Sequence, residues 1–194
     1  MNAVAVRAIE AIDEANAIDP NVVLVDGKPY PKELLHAERM SDWLERLDPG
    51  ASDAQRIAAR AHHFRRWVLA RSEYKSGRAG YLRWRRDQAE RQCGEVGELL
   101  ATVGVSPDIV ERVIAIMSKT GLGSDPQVQT HEDALCLVFI ELQLDELVGR
   151  LDHAAATRTL ERTLAKMSSS SHAIALEVAS DEGRALIEAA LLES

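Results

Sequence analysis

Residues 31–47, PKELLHAERMSDWLERL, carry Leu34, Leu35, Met40, Trp43, Leu44 and Leu47 at spacings of three and four. That period places an apolar stripe on one side of an α-helix. Pro31 suits a first helical turn, and Asp48-Pro49-Gly50 stops the helix on the far side. The same reading extends outward in both directions. Upstream, Val4, Ile9, Ile12 and Ala15 mark a helix over 2–17. Between them lies a short break in which Asn21 to Val25 can extend and Asp26-Gly27 turns. A two-strand ribbon is too isolated to change the fold class.

Downstream, Ser52 with Gln55 forms a capping-box pattern, opening a third helix over about 53–70 with Ile57, Ala61, Phe64 and Val68 on its inner face. A loop over 71–78 leads to a long helix, about 79–102, stopped at Gly104. Ser106-Pro107 starts the next. A loop, GLGSDPQVQ, precedes a helix over about 131–149 that Thr130 and Asp133 can cap. Two more helices, about 153–168 and 181–192, are separated by SSSSHAIALEVAS, in which the serine run from Ser168 to Ser171 reads as a connector. The expectation is an all-α fold: one domain over 1–194, an irregular bundle of seven to eight helices.

The chain has 194 residues, enough for a core without disulfides or structural metal. Its cysteines, Cys93 and Cys136, have neither disulfide-framework nor metal-ligand spacing. The first residues, MNAVAVRAIEAIDEANA, are interrupted by charges and do not read as a signal peptide. No run approaches the roughly 20 apolar residues of a membrane span. A cytoplasmic protein is expected, with no membrane partner. The formal net charge of −8 conceals a basic segment: from Arg60 to Arg91 ten basic residues face only Glu73, Asp87 and Glu90. An acidic chain argues against general nucleic-acid binding, although Tyr81 and Trp84 beside Arg83 have the chemistry to stack on a base. A local basic cluster suits a small anionic ligand or an acidic internal neighbour. Sequence leaves the oligomeric state open.

Three helices carry the candidate chemistry. On the second, His36 stands three residues before Arg39, on one face. On the third, His62 and His63 are followed by Arg65, Arg66 and Trp67. On the sixth, His131, Glu132 and Asp133 stand at the start, and Glu141 closes the apolar run ALCLVFIE, where a carboxylate is expected to be buried and paired or metal-bound. The acids Glu132 and Asp133 equally suit a helix's first turn through the dipole alone. Arg39, Arg66, Arg78, Arg83 and Lys119 are the candidate anion-binding residues. There is no phosphate-cradling glycine loop, nucleophile elbow or zinc-helix motif.

This layout resembles the histidine–aspartate (HD) superfamily, an all-α group with a histidine on one helix, a His-Asp pair on the next and an aspartate on a later one. The resemblance implies one or two divalent metal ions (iron, manganese or zinc) and hydrolysis of a phosphate ester, or oxidation in its di-iron members. His36, His62 and His63 would be ligands, with Glu141 in place of the last aspartate, Glu132 and Asp133 as catalytic residues (Glu132 a general base, Asp133 also able to complete the metal shell), and the cations neutralising substrate. The chain departs from the pattern in that His63 stands where the aspartate should be. A nearer resemblance covers almost the whole chain and rests on AIDEANAIDPN, LLHAERMSDWL, AARAHHFRRW, SGRAGYLRWR and QTHEDALCLVFIE. These segments resemble the family designated domain of unknown function 4202. That resemblance implies His63, Arg66, Trp67, Arg78, Tyr81, Arg83, Trp84, Glu132, Asp133 and Glu141 as signature positions. His36 and His62 depart from its usual tyrosine and glutamine, and Gln92 lies where a histidine is usual nearby. Its label carries no activity. The functions that follow are a metal-dependent enzyme acting on a small anionic substrate, a non-catalytic module binding an anion through the arginines, or a helical interaction protein with a purely structural polar cluster.

Overall fold

The computed structural model describes residues 1–192 and is all-α apart from one hairpin. Nine α-helices lie among the described residues, against the seven to eight expected. The chain forms two compact units, residues 1–120 and 121–194.

The first unit holds α1 (Ala3–Ala17), β1 (Val22–Val25), β2 (Lys28–Pro31), α2 (Lys32–Leu47), α3 (Asp53–Ala61), α4 (Arg78–Thr102) and α5 (Pro107–Met117). Helix α3 is central and packs on α1, α2 and α5. Its buried residues explain why: Ala54, Ala58, Ala59 and Ala61 surround Ile57, and small side chains let three helices approach one backbone. The expected capping box is present, with Gln55 N–H donating to Ser52 Oγ (3.3 Å) and Ser52 N–H to Gln55 Oε1 (2.9 Å). The hairpin turns at Asp26 (φ 50°) and Gly27 (φ 75°), the left-handed pair that a two-residue loop between antiparallel strands requires.

Helix α3 ends at Ala61, well short of the expected position 70. Arg65 sits at φ 45° in the left-handed region, which no helix continues through, and single-turn 3₁₀ helices follow at Arg66–Val68 and Arg71–Glu73. Phe64 and Val68 keep the helical period, so the sequence pattern ran past the break. The fully buried Asn16 accepts the Arg65 backbone N–H through Oδ1 (3.0 Å) and so holds this turn.

The segment SGRAG owes both its glycines to backbone geometry. Gly77 has φ 86° at the start of α4, and a Cβ at Gly80 would lie 1.9 Å from the Lys75 carbonyl oxygen. Gly80→Ala is therefore expected to displace the turn over 71–77 and lower stability by about 1–3 kcal/mol, as overpacking does. Denaturant unfolding checks this, and a variant as stable as the parent contradicts it.

The second unit packs α6 (Pro126–Arg150) against α7 (His153–Leu164), α8 (Ser169–Val178) and α9 (Asp181–Leu192), with α9 also meeting α7 and α8. Leu137, Leu144, Leu160, Leu164 and Ile187 form its core. Helix α6 begins five residues earlier than expected. Asp125 caps it, accepting from Gln127 N–H (2.9 Å), and Pro126 takes the first turn. Thr130 and Asp133 therefore lie inside the helix and do not cap it. The segment read as a connector is mostly helix α8.

Candidate functional site

The buried residues of α2 are Glu33, His36, Ala37, Met40, Trp43 and Leu44. Their three- and four-residue steps are those of a core stripe, yet its first two members are polar. Leu34 and Leu35, expected in the stripe, flank it half-buried. The hairpin delivers the chain to this point: Glu33 N–H donates to Asp19 Oδ2 (3.0 Å), which ties the first turn of α2 to the end of α1.

The turn held by Asn16 brings His63 to the same place. His63 Nδ1 lies 3.2 Å from Glu33 Oε2, with those side chains 17% and 9% exposed. The His36 and His63 rings stack at 3.8 Å between centroids, 22° apart. His62 lies farther out, its centroid 6.3 Å from His36 and 5.1 Å from His63. Glu33, His36 and His63 each offer one donor atom, and these atoms lie within 4.8 Å of one another. Among the described residues this is the one such group of histidines, cysteines and carboxylates.

Electrostatics prepare these groups. Burial pushes the His63 imidazole well below its ordinary range, and the Arg66, Lys119, Lys32 and Arg85 cations push it further. Burial raises the Glu33 carboxyl, while His36, Arg66 and Lys32 oppose the shift. A neutral imidazole keeps its lone pair for a ligand or a proton. Arg66 is half-buried, its guanidinium 4.7 Å over the Trp84 ring, and Trp84 Nε1–H donates to the Leu69 carbonyl (3.0 Å). Tyr81 lies 5.9 Å from Trp84, and Arg85 lies over Tyr81. Arg85, Tyr81, Trp84 and Arg66 therefore form a stack of cation, two rings and cation that leads from α4 toward the histidines.

Two imidazoles and a carboxylate are a donor set that zinc, manganese and iron(II) accept. Donors about 2.1 Å from a shared ion stand at most about 4.2 Å apart, so closing the group onto an ion takes side-chain movement of under about 1 Å. The residues fit a divalent cation.

A family model described as a domain of unknown function (DUF4202) matches residues 6–187. The chain belongs to that family. No curated protein and no solved structure matches it. The match spans both units and bears out the nearer of the two resemblances read from the sequence.

Of the expected ligands, His36 and His63 fall in the group and His62 stands beside it. The carboxylate is Glu33, which sequence reasoning missed. The available signal was its place three residues before His36, on the same helical face. The carboxylate here precedes the first histidine, whereas the HD pattern puts it after the second. Glu141 is exposed, contrary to the burial expected of it. Burial along α6 ends at Ile140, and only Leu144 is buried beyond.

Of the expected anion-binding residues, Arg66 adjoins the group and the Lys119 charge reaches His63. Lys119 is half-buried at φ 60°, a left-handed position just past α5. Arg39 lies 3.3 Å from Asp42. Arg78 and Arg83 are exposed on α4.

Glu132 and Asp133 are buried in the second unit. Asp133 accepts from Ser168 N–H (2.8 Å), Ser168 Oγ (2.5 Å), Ser171 Oγ (2.9 Å) and Gln129 Nε2 (2.9 Å). It serves as the cap that the α8 N-terminus otherwise lacks. Glu132 lies 3.9 Å from Lys166 Nζ. Among the described residues no helix is long and apolar enough to cross a membrane.

Proposed function

We propose that the first unit is a metal-dependent catalytic unit acting on a small anionic substrate, a phosphate ester in the first instance. The observation that carries this reading is the convergence of Glu33, His36 and His63 within 4.8 Å, at a point where Arg66 and Lys119 also act on His63. Glu33, His36 and His63 would hold the cation, and His62 stands near enough to join them. A bound divalent cation supplies Lewis acidity toward the anion's oxygen. The chain's own contributions are separate. Burial keeps His63 neutral and its lone pair available. Before an ion is bound, the 3.2 Å contact between Glu33 Oε2 and His63 Nδ1 holds these two side chains side by side in the group. Arg66, steadied on Trp84, and Lys119 neutralise substrate charge where water is scarce.

The test is elemental analysis of untagged chain purified without chelator, alongside His36→Ala and His63→Ala. The expected result is near-stoichiometric iron, manganese or zinc in the parent and little in either variant. A parent that binds no metal after titration, or variants that retain it, rules the reading out.

A second reading draws on the same cations. Four positive side chains act on His63, and that crowding opposes a dication while favouring an anion. In this alternative the unit is a non-catalytic module, and inorganic phosphate raises its melting temperature without metal. Loss of that shift in Arg66→Ala supports the second reading over the first.

A further inference from the structure

The hairpin has two outer edges, and the chain treats them differently. Its register pairs Val22 with Pro31, Val23 with Tyr30, Leu24 with Pro29 and Val25 with Lys28. Lys32 N–H donates to the Asn21 carbonyl (2.9 Å), which makes 21–32 a bonding position of the ladder, although Asn21 N–H itself donates to Asp19 Oδ1 (2.8 Å). Antiparallel ladders alternate bonded and non-bonded pairs. Val23–Tyr30 and Val25–Lys28 therefore bond across the hairpin, while Val22–Pro31 and Leu24–Pro29 do not. At the non-bonded positions the N–H and C=O groups point away from the partner strand. On β2 both such positions are proline, which has no N–H to offer, a recurrent means of sealing a sheet edge. On β1 they are Val22 and Leu24, with N–H and C=O intact. The sheet has only these two strands, and among the described residues nothing pairs with the outer edge of β1. The Val22 and Leu24 side chains are 59% and 74% exposed.

We propose that the outer edge of β1 docks a second copy of this chain, strand to strand and antiparallel, about a twofold axis at Val23. In that register Val22 faces Leu24 of the other copy and the reverse. Each such pair exchanges two N–H···O=C bonds, so every outward group of the edge is satisfied by its own inverse. The apolar side chains of Val22 and Leu24 meet in the same cross-strand pairs.

Three further features favour a second copy as the occupant. Residues 21–25 carry no charge, so the contact adds no repulsion between two chains of net charge −8. Pro20 and the Asp26-Gly27 turn bound the open edge to the segment that matches itself. The sealed β2 edge stops assembly at two copies, where two open edges would polymerise. A pairing of two four-residue strands falls well short of the roughly 800 Å² per partner of a stable complex. The dimer is therefore weak and concentration-dependent.

The experiment is sedimentation of the full chain over a hundredfold loading range, with amide hydrogen exchange on the same samples. The expected result is a reversible monomer–dimer equilibrium. The Val22 and Leu24 amides should gain at least about tenfold protection at high loading, while those of Val23 and Val25 are protected throughout. Leu24→Lys, which puts a charge on the edge, should remain monomeric with its helical signal intact. Pro29→Val, which restores an outward N–H on β2, should assemble beyond two copies. A parent that stays monomeric at every loading overturns the proposal. So does a dimer that Leu24→Lys leaves intact, or one that forms without protecting the Val22 and Leu24 amides.

Discussion

Stripped of metal and melted at pH 7, Glu33→Gln is expected to unfold at a higher temperature than the parent chain; loaded with metal, at a lower one. The first half follows from burial. Glu33 is 7% exposed, and burial raises its carboxyl above the ordinary 4.5, so the folded state accommodates the charge poorly. As pH rises through 4.5 the unfolded chain ionises first, and stability is lost until pH passes the raised folded value. Above that point a constant deficit remains. Glutamine carries no such deficit and can still hydrogen-bond to His63 Nδ1. The gain should be on the order of 1 kcal/mol, the usual size of a single-residue effect, and should vanish below pH about 4.

His63 runs the opposite way. Its folded pKa is depressed, so parent and variant both lose stability as pH falls below 6.5, where the unfolded chain takes up the proton first. The second half of the prediction follows from linkage. Metal at a hundred times its dissociation constant adds about 2.7 kcal/mol to the parent, and a chain without the carboxylate ligand forgoes it. Melting curves with and without zinc or manganese decide the matter. A metal-free variant that melts below the parent refutes the buried-charge account. A parent whose melting ignores metal refutes the ligand role.

How far the fold was legible depended on whether local signals agreed. The bounds of α2 were plain, because Pro31 and Asp48-Pro49-Gly50 bracket a strong period. The content of its buried face was not. Counting leucines drew the stripe through Leu34 and Leu35, while the structure draws it through Glu33 and His36, one step around the helix. The end of α3 was illegible for a specific reason. A left-handed arginine held by a side chain 49 residues away leaves no local trace, and Phe64 and Val68 continue the period across it. Asp125-Pro126 was readable as a helix start, but the glycines before it drew the whole stretch into a loop. Of the site, His36, His63 and Arg66 were named from sequence. Glu33 needed the hairpin and the Asp19 contact to bring it there, and both depend on tertiary structure.

Asp133→Ala is expected to lower the stability of the second unit by about 1–3 kcal/mol, the cost of leaving buried hydrogen-bond donors without their acceptor. Four donor contacts from three residues converge on this carboxylate. Two of them come from Ser168, the N-cap of α8, and one from Ser171 in its first turn, a helix start that has no other side-chain cap. Alanine strands the Ser171 hydroxyl in a site where Ser171 is 1% and Asp133 5% exposed, so water cannot readily replace the carboxylate there, while the Ser168 and Gln129 donors are half-buried. Asp133→Asn should fall between parent and alanine variant, because its amide oxygen still accepts while its amide nitrogen does not. Denaturant unfolding with hydrogen exchange across 169–178 reads the effect directly: α8 amides should lose protection first. The same variants separate the structural role from the catalytic one expected of Asp133 from sequence. A cap that fails costs stability, and activity then falls only in proportion to the folded fraction. If Asp133→Asn instead abolishes turnover while α8 stays protected and the melting temperature holds, Asp133 belongs to the chemistry and the capping account is wrong.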